Sequence, residues 1–342
     1  MPTAKPRLEL TRAQILAFRR RVGALDKRLT PGANSLRRTA WAGLQDSMPR
    51  AALLSIHARV GDVRPDTPED PYLVQIWGPR YNVYVVAARD LAVFTLGRLP
   101  DDARGRQRAE GLAARLRSLL DGAQLAEREA GRALGVHPNS LRYASPTGTL
   151  LIRWDGARQP DIRTVQPPAV DPAEARLELA RRHLRVYGPS TPEAFGRWSG
   201  IGARPAATAF GALGGELTPV STPIGDAWIL ARDESEFRAQ PGPTAPARLV
   251  PSGDSYLLHQ GLDRELVVPN PARRAELWTP RVWPGGLLVE GEVVGTWRRA
   301  SATLSVRPWV VLSRRARESV EAEAAGLPLH GLQGPIGVRW EV

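Results

Sequence analysis

Apolar residues recur at helical spacing over residues 11–25, directly after Thr11, and Gln14 stands three positions further on. The T-x-x-Q spacing predicts a capping box that opens a first helix at Thr11. Pro31-Gly32 breaks the pattern, and Asn34 or Ser35 is placed to cap a second helix running to Leu44. Ser47 precedes Met48-Pro49 and the apolar segment 51–60, which predicts a third helix. A proline-rich loop (64–71) follows. Aromatic and β-branched residues at 72–77 and 81–87 then flank Gly78-Pro79-Arg80 and predict a hairpin. Three helices followed by a hairpin is the winged-helix order.

The same order returns twice. Residues 104–120 and 124–134 read as helices, and Gly135 suits the tight turn of a helix-turn-helix. A short third helix is predicted at His137-Pro-Asn-Ser-Leu-Arg-Tyr143, then strands at 149–154 and 161–165. In a third unit, helices are predicted at 172–187, 191–199 and 204–213, with a hairpin around Pro223-Ile-Gly-Asp226. There Thr191-Pro192-Glu193 sets a cap before a proline at the first helical position. A Pro/Gly-rich linker at 240–246 leads to a β-rich tail. Its strands are predicted at 286–290 and 293–297 around Gly291-Glu292, then at 302–306, with a helix at 314–325 and a last strand at 337–342. The fold expected is α+β, with three tandem winged-helix units (1–100, 101–170, 171–240) and an appended small β-rich C-terminal region (247–342).

Length agrees with several units, since 342 residues exceed what one hydrophobic core usually serves. No apolar run approaches the ~20 residues needed to span a bilayer, and residues 1–10 carry no apolar core with a cleavage site. A cytoplasmic, nucleoid-associated monomer is therefore expected. The chain has no cysteine, which excludes disulfides, thiolate metal sites and a cysteine nucleophile. Its five histidines show no paired spacing, so neither a metal nor another cofactor is expected. The net charge of +12 favours a polyanionic partner, and double-stranded DNA is the one expected. Of the 47 basic residues only Lys5 and Lys27 are lysine. The arginine excess, with abundant Ala, Gly and Pro, carries the coding bias of a GC-rich genome, yet the planar guanidinium fork still suits phosphate oxygens.

In a winged helix the third helix usually enters the major groove and the wing touches phosphates or the minor groove. In the second unit this selects His137, Asn139, Ser140, Arg142 and Tyr143. Asn and Arg can read base edges bidentately, and Ser and Tyr can bind phosphate. Arg80 and Tyr81 at the first wing tip, and Arg298-Arg299 beside Trp297, suit phosphate or minor-groove contact. Each has a plainer reading: a winged helix also serves as a protein-binding module, and arginine at a hairpin end is often just exposed. His57 reads as a core or helix-face residue, and Glu127/Glu129 and Asp233/Glu234/Glu236 read as solvated acidic faces.

Four groups of segments resemble the AlkZ-like family of tandem winged-helix proteins, bacterial DNA glycosylases that excise alkylated bases and unhook interstrand crosslinks. They are Gly43-Leu-Gln-Asp-Ser-Met-Pro-Arg-Ala-Ala52 with His57-Ala-Arg59, then Tyr187-Gly-Pro-Ser-Thr-Pro192 with residues 195–198. The others are Leu249-Val-Pro251 with residues 254–258, and residues 289–291 with Val294-Gly-Thr-Trp-Arg-Arg299. The resemblance implies three winged helices around a concave DNA channel with a β-barrel-like addition. It also implies a catalytic signature of a glutamine, an apolar residue, then a glutamine or aspartate. That signature maps onto Gln45, Asp46 and Ser47, so only the first position is retained.

The chemistry implied is modest in its demands. An N7-alkylated purine is cationic and leaves readily, so the protein must chiefly position a water at the sugar C1′ and stabilise oxocarbenium-like charge. Gln45 could orient that water, Asp46 could act as base or anionic stabiliser if it faces the channel, and Ser47 could serve as a weak acceptor. Against this, Ser47 is well placed to cap the helix at 51–60, and Asp46 suits the positive end of that helix. Three functions stay open: a monofunctional glycosylase, a non-catalytic DNA binder (damage sensor, architectural protein or regulator), and a scaffold for protein partners.

Overall fold

The computed structural model describes residues 7–48, 50–156, 158–329 and 336–341. A two-residue strand β1 (Leu8–Glu9) leads into α1 (Arg12–Val22), which opens on the expected capping box. The Thr11 hydroxyl accepts from the Gln14 backbone, and the Gln14 side chain accepts from the Thr11 N–H at 3.0 Å. Helix α2 (Ala33–Thr39) stops well short of Leu44. Gly43 takes φ +72° and turns the chain into β2 (Leu44–Gln45), a strand in place of the expected helix end. Then come α3 (Ala51–His57), β3 (Leu73–Trp77), β4 (Val83–Ala87), α4 (Leu91–Thr95) and α5 (Ala103–Leu120).

The segment expected as one helix at 124–134 divides into β5 (Gln124–Ala126) and α6 (Glu127–Ala133). Pairing of β5 with β7 (Asp161–Thr164) removes its first three residues from the helix. In place of a third α-helix at 137–143 there is a 3₁₀ run, Pro138–Thr147. Pro138 stands at the first position, where no N–H is required, but Pro146 lies inside the run and cannot donate an i→i+4 bond, so an α ladder cannot run through it. After it come β6 (Leu150–Arg153) and β7, then α7 (Pro172–Tyr187), α8 (Pro192–Ser199), α9 (Ala203–Leu213) and the hairpin β8 (Leu217–Thr222) and β9 (Gly225–Leu230). The Thr191 side chain caps α8 through the Ala194 N–H, with Pro192 in the first turn, as its sequence predicts.

Beyond α10 (Glu234–Arg238), strand β10 (Ala247–Val250) and the short helices α11 (Asp263–Val267) and α12 (Pro271–Leu277) precede the tail. The tail comprises β11 (Gly285–Val289), β12 (Glu292–Ala300), β13 (Thr303–Pro308), α13 (Arg314–Ala325) and β14 (Gly337–Trp340). The β11–β12 turn is Glu290-Gly291, both at positive φ, one residue earlier than the pattern suggests. Of the final strand expected at 337–342, Val342 lies outside the described residues, as does Pro49 of the segment ahead of α3.

Three sheets organise these elements. β3 pairs with both β4 and β6, so the first two hairpins fuse into one six-stranded sheet, ordered β2-β4-β3-β6-β7-β5 and antiparallel throughout. A three-stranded sheet, β1-β8-β9, joins the N-terminus to the third hairpin. The tail forms the five-stranded sheet β10-β11-β12-β13-β14.

Helix α1 was expected beside α2 and α3, but its apolar face meets the third hairpin and α10. Phe18 stacks on Phe237 at 3.6 Å, and Ile15 joins Val220 and Ile229 in the same cluster. Arg19, buried on that helix, donates to the Tyr187 and Gly188 carbonyls at 2.6 and 3.0 Å and so satisfies the end of α7. The largest core cluster joins β3 and β4 to α7, α8 and α9 through Ile76, Phe94, Leu184, Phe195 and Phe210. No helix among the described residues is long and apolar enough to cross a membrane.

Candidate functional site

Gln45 and Tyr84 are directly opposed in the β2–β4 pair, so their side chains share one face of the sheet. The pairing continues through the Asp46 N–H to the Val83 carbonyl at 2.8 Å. With side chains alternating along the strand, Gln45 and Ser47 face one way and Asp46 the other. Gln45 and Ser47 both line a cleft of about 360 Å³, closed by Arg80 and Asn82 from the β3–β4 turn, Ser252 and Gly253 after β10, and Arg281 and Trp283 before β11. Among the described residues, none that lines this cleft is acidic.

Asp46 lines a separate cleft of about 730 Å³ with Arg50, Gln75, Arg153 and Trp154. Its carboxylate caps α3: Oδ1 accepts from the Ala52 N–H at 2.9 Å, and Oδ2 accepts from the Gln75 amide at 2.9 Å. Burial pushes its pKa up to about 7, and the Ala52 and Gln75 donors hold it back from rising further. The cap was expected from Ser47. Instead Arg50 takes the N-cap position at φ +65°, the buried Ser47 hydroxyl has no hydrogen-bond partner among the described residues, and the acid four residues before Arg50 reaches the helix end.

The cleft is assembled by a fully buried ion pair. Arg59, just beyond α3, meets Asp254 in a bidentate contact of 2.6 and 2.7 Å. Ser55 of α3 donates to the same carboxylate at 2.7 Å. Asp254 in turn accepts from the Tyr256 N–H at 2.8 Å and orders the loop that carries Ser252 and Gly253. Gly253, at φ +79°, brings its backbone against the Gln45 side chain; a Cβ there would lie 3.6 Å from the amide carbon. The segments around Gly43–Ala52 and Leu249–Leu258, nearly 200 residues apart, therefore meet at Gln45.

The tip of the β3–β4 hairpin sits on α8. Arg80 and Tyr81 both adopt left-handed backbone, at φ 54° and 59°. A Cβ on Gly200 would come within 2.9 Å of the Arg80 nitrogen, so only glycine at the end of α8 admits the wing there. Arg80 is exposed and Tyr81 half-buried. Tyr81 meets Tyr143 edge-on at 5.2 Å, which brings the β3–β4 turn against the 3₁₀ run. Arg108 stacks over the Tyr143 ring at 4.2 Å.

The remaining candidates are dispersed. His137 is exposed, and its Nδ1 accepts from the Asn139 N–H at 3.2 Å, so it caps the 3₁₀ run. Asn139 is exposed and Ser140 half-buried. Arg142 turns inward, its Nε 3.8 Å from Glu127, which is buried rather than part of a solvated acidic face. Asp233 is likewise buried, against Arg185 at 2.7 Å. His57 is a buried helix-face residue. Arg298 donates to the Val282 carbonyl at 2.8 Å and braces the cleft lip. Arg299 donates to Ser301, and burial with the nearby Arg50 charge lowers its pKa. Asn82, Ser252, Arg281 and Trp283 are cleft residues that sequence reasoning missed. Asn82, beside the turn predicted at Gly78-Pro79-Arg80, had a usable signal; the others, after β10 and before β11, become neighbours of Gln45 only in the fold. Among the described residues no three His, Asp or Glu side chains converge as a metal-holding group.

Comparison with known proteins places these features in context. A family model described as DNA glycosylase AlkZ-like matches residues 38–328. An interstrand DNA cross-link repair glycosylase of Streptomyces sahachiroi is 33% identical over 191 residues, 55% of this chain and 48% of the relative. The match thus spans about half the length of that relative. The solved structure of Streptomyces sahachiroi DNA glycosylase AlkZ superposes with a TM-score of 0.79 at 21% identity, covering 98% of this chain and 100% of that one. The likeness is one of fold, the same mixed α+β arrangement of helices and several sheets.

Proposed function

The chain belongs to the AlkZ-like DNA glycosylase family, and on that premise we propose that it binds duplex DNA and hydrolyses the N-glycosidic bond of alkylated or crosslinked purines. The observation that carries this reading is that Gln45 and Ser47, the outer positions of the family's signature, open into one cleft rimmed by Arg80 and Arg281. The Gln45 carbonyl holds the attacking water at C1′; Ser47 lines the same cleft, but its hydroxyl is buried with no hydrogen-bond partner among the described residues, so it serves that water as a weak acceptor only once its side chain turns outward. As water adds to C1′, the bonding pair leaves with the cationic purine and neutralises it, the water gives up one proton to solvent, and the products are free base and an abasic site. Among the described residues no acid lines the cleft, so the phosphates flanking the lesion supply the negative charge that stabilises the oxocarbenium-like centre.

Asp46 has a different part in this reading. Its carboxylate faces away from the Gln45 cleft and fixes the start of α3, so it positions the strand that carries Gln45. Lys27, the one lysine among the described residues, does not line the cleft, and the reaction proceeds without a Schiff base. The three helix-and-hairpin groups are read as tandem winged helices at about residues 1–100, 101–170 and 171–240, with a C-terminal region at 247–342, although α1 packs with the third group. Arg80, Tyr81, His137, Asn139, Ser140, Tyr143 and Arg299 are proposed DNA contacts; Arg142 and Arg298 contribute chiefly by holding their neighbours. The protein acts as a monomer on chromosomal DNA in the cytoplasm.

The test is incubation of excess protein with a duplex carrying N7-methylguanine, followed by alkaline cleavage at abasic sites. Strand scission above the spontaneous rate supports the reading. Salt-dependent duplex binding without base release instead makes the protein a non-catalytic damage binder, the outcome favoured if Ser47 cannot replace the third signature residue.

A further inference from the structure

Tyr84 is wholly buried in the six-stranded sheet, where a phenylalanine would fill the core equally well. Its ring needs an unusual clearance. A Cβ on Gly43 would come within 2.9 Å of it, and so would one on Gly78. Two glycines from different segments therefore make room for this ring, and Gly43 opens the segment that carries Gln45. A hydroxyl delivered to such a place costs free energy unless it is paired. It lies 3.5 Å from Gln45 Oε1.

The hydrogen bond between them runs from the phenol to that oxygen, and a carbonyl oxygen can only accept, so the Tyr84 proton points at Gln45. A glutamine amide has two ends of nearly equal shape and opposite hydrogen-bonding sense. A donor behind it decides that the oxygen occupies this position, and a carbonyl oxygen has a second lone pair to offer a water.

We propose that Tyr84 is a positioning residue for Gln45, donating to its Oε1 from within the core so that the carbonyl oxygen, rather than the NH₂ group, is presented to the attacking water. The inference rests on the glycosylase reading above. Burial pushes the Tyr84 hydroxyl up to about 12, with Arg80 and Arg98 pulling against it, so it keeps its proton at any working pH. Gly253 packs on the aliphatic part of the Gln45 side chain and limits its swing from the other side.

The experiment compares wild type, Tyr84→Phe, Gln45→Ala and the double variant for single-turnover base release and duplex affinity. Tyr84→Phe keeps the ring in its slot and removes only the hydroxyl. The expected result is a loss in rate on the order of 10- to 100-fold, as for a misplaced reacting group, with duplex affinity and melting temperature near wild type. In the Gln45→Ala background the same change is expected to cost nothing more. A wild-type rate in Tyr84→Phe, or full additivity with Gln45→Ala, overturns the proposal. If wild type itself releases no base, the glycosylase reading fails separately. The contact is then judged by the Gln45 side-chain amide resonances: a shift in Tyr84→Phe upholds it, and no shift overturns it.

Discussion

The Gln75 side-chain amide donates to Asp46 Oδ2 at 2.9 Å, and Gln75 cannot turn over to do otherwise. Its Oε1 accepts from the Trp154 N–H at 2.7 Å, and its Nε2 also donates to the Trp154 carbonyl at 3.1 Å. An amide at position 46 would set an NH₂ group against that fixed donor, or turn its oxygen there and lose the α3 cap. Asp46→Asn is therefore expected to destabilise the protein by about 1–3 kcal/mol, the cost of a buried polar group left unpaired. Urea unfolding of the two proteins side by side measures it. A variant as stable as wild type would mean that Gln75 is not locked.

The same carboxyl gives stability a pH dependence of definite sign. Its folded pKa, about 7, lies above the unfolded value of about 3.9. The native state thus holds a proton that the unfolded chain lacks, and the Asp46 contribution, full below pH 4, is lost as pH rises through 7. The buried histidines run the other way. Burial lowers His57 to about 4 and His183 to about 3, so their contribution is present above about pH 6.5 and lost as pH falls toward those values. Thermal melts from pH 4 to 8 should show the advantage of wild type over Asp46→Asn shrinking as pH rises. A constant gap would remove Asp46 as its source.

Much of the frame was legible in the sequence because it is local. The Thr11–Gln14 box, the Thr191-Pro192 start of α8 and the bounds of α7 and α13 follow from side chains within four residues of one another. Non-local pairing was not legible. The strand β2, which takes Leu44 from the expected helix end, depends on β4, and the fusion of two hairpins depends on β3 meeting β6. Likewise α1 chose its partner through Phe237, more than 200 residues away. At the site, Gln45 and Ser47 were named from the signature, whereas the opposite aim of Asp46 follows from the strand that sequence reading placed at a helix end.

The Arg59–Asp254 pair joins the two walls of the Gln45 cleft by direct contact. Asp254→Ala leaves a buried guanidinium unpaired and is expected to cost about 3–5 kcal/mol. Replacing both partners together, as Arg59→Met with Asp254→Leu, should restore much of that stability but not base release, because Ser252 and Gly253 would no longer be held at Gln45. Equal destabilisation in the single and double variants would contradict the assignment.

Arg281 stands at the cleft mouth with no acidic residue among the cleft-lining side chains. Arg281→Ala should weaken duplex binding uniformly across sequences and reduce the magnitude of the salt slope by about 1, the signature of one lost phosphate contact. Fluorescence anisotropy titrations between low and moderate salt measure both. An unchanged slope would place Arg281 off the DNA.

The most direct measurement is single-turnover release of N7-methylguanine from a duplex by wild type and by Gln45→Ala, each at protein concentrations that saturate the DNA. Wild type is expected to release base well above the spontaneous rate, and Gln45→Ala to bind with similar affinity but fall by two orders of magnitude or so in rate. Equal rates in the two proteins would contradict a catalytic cleft built around Gln45.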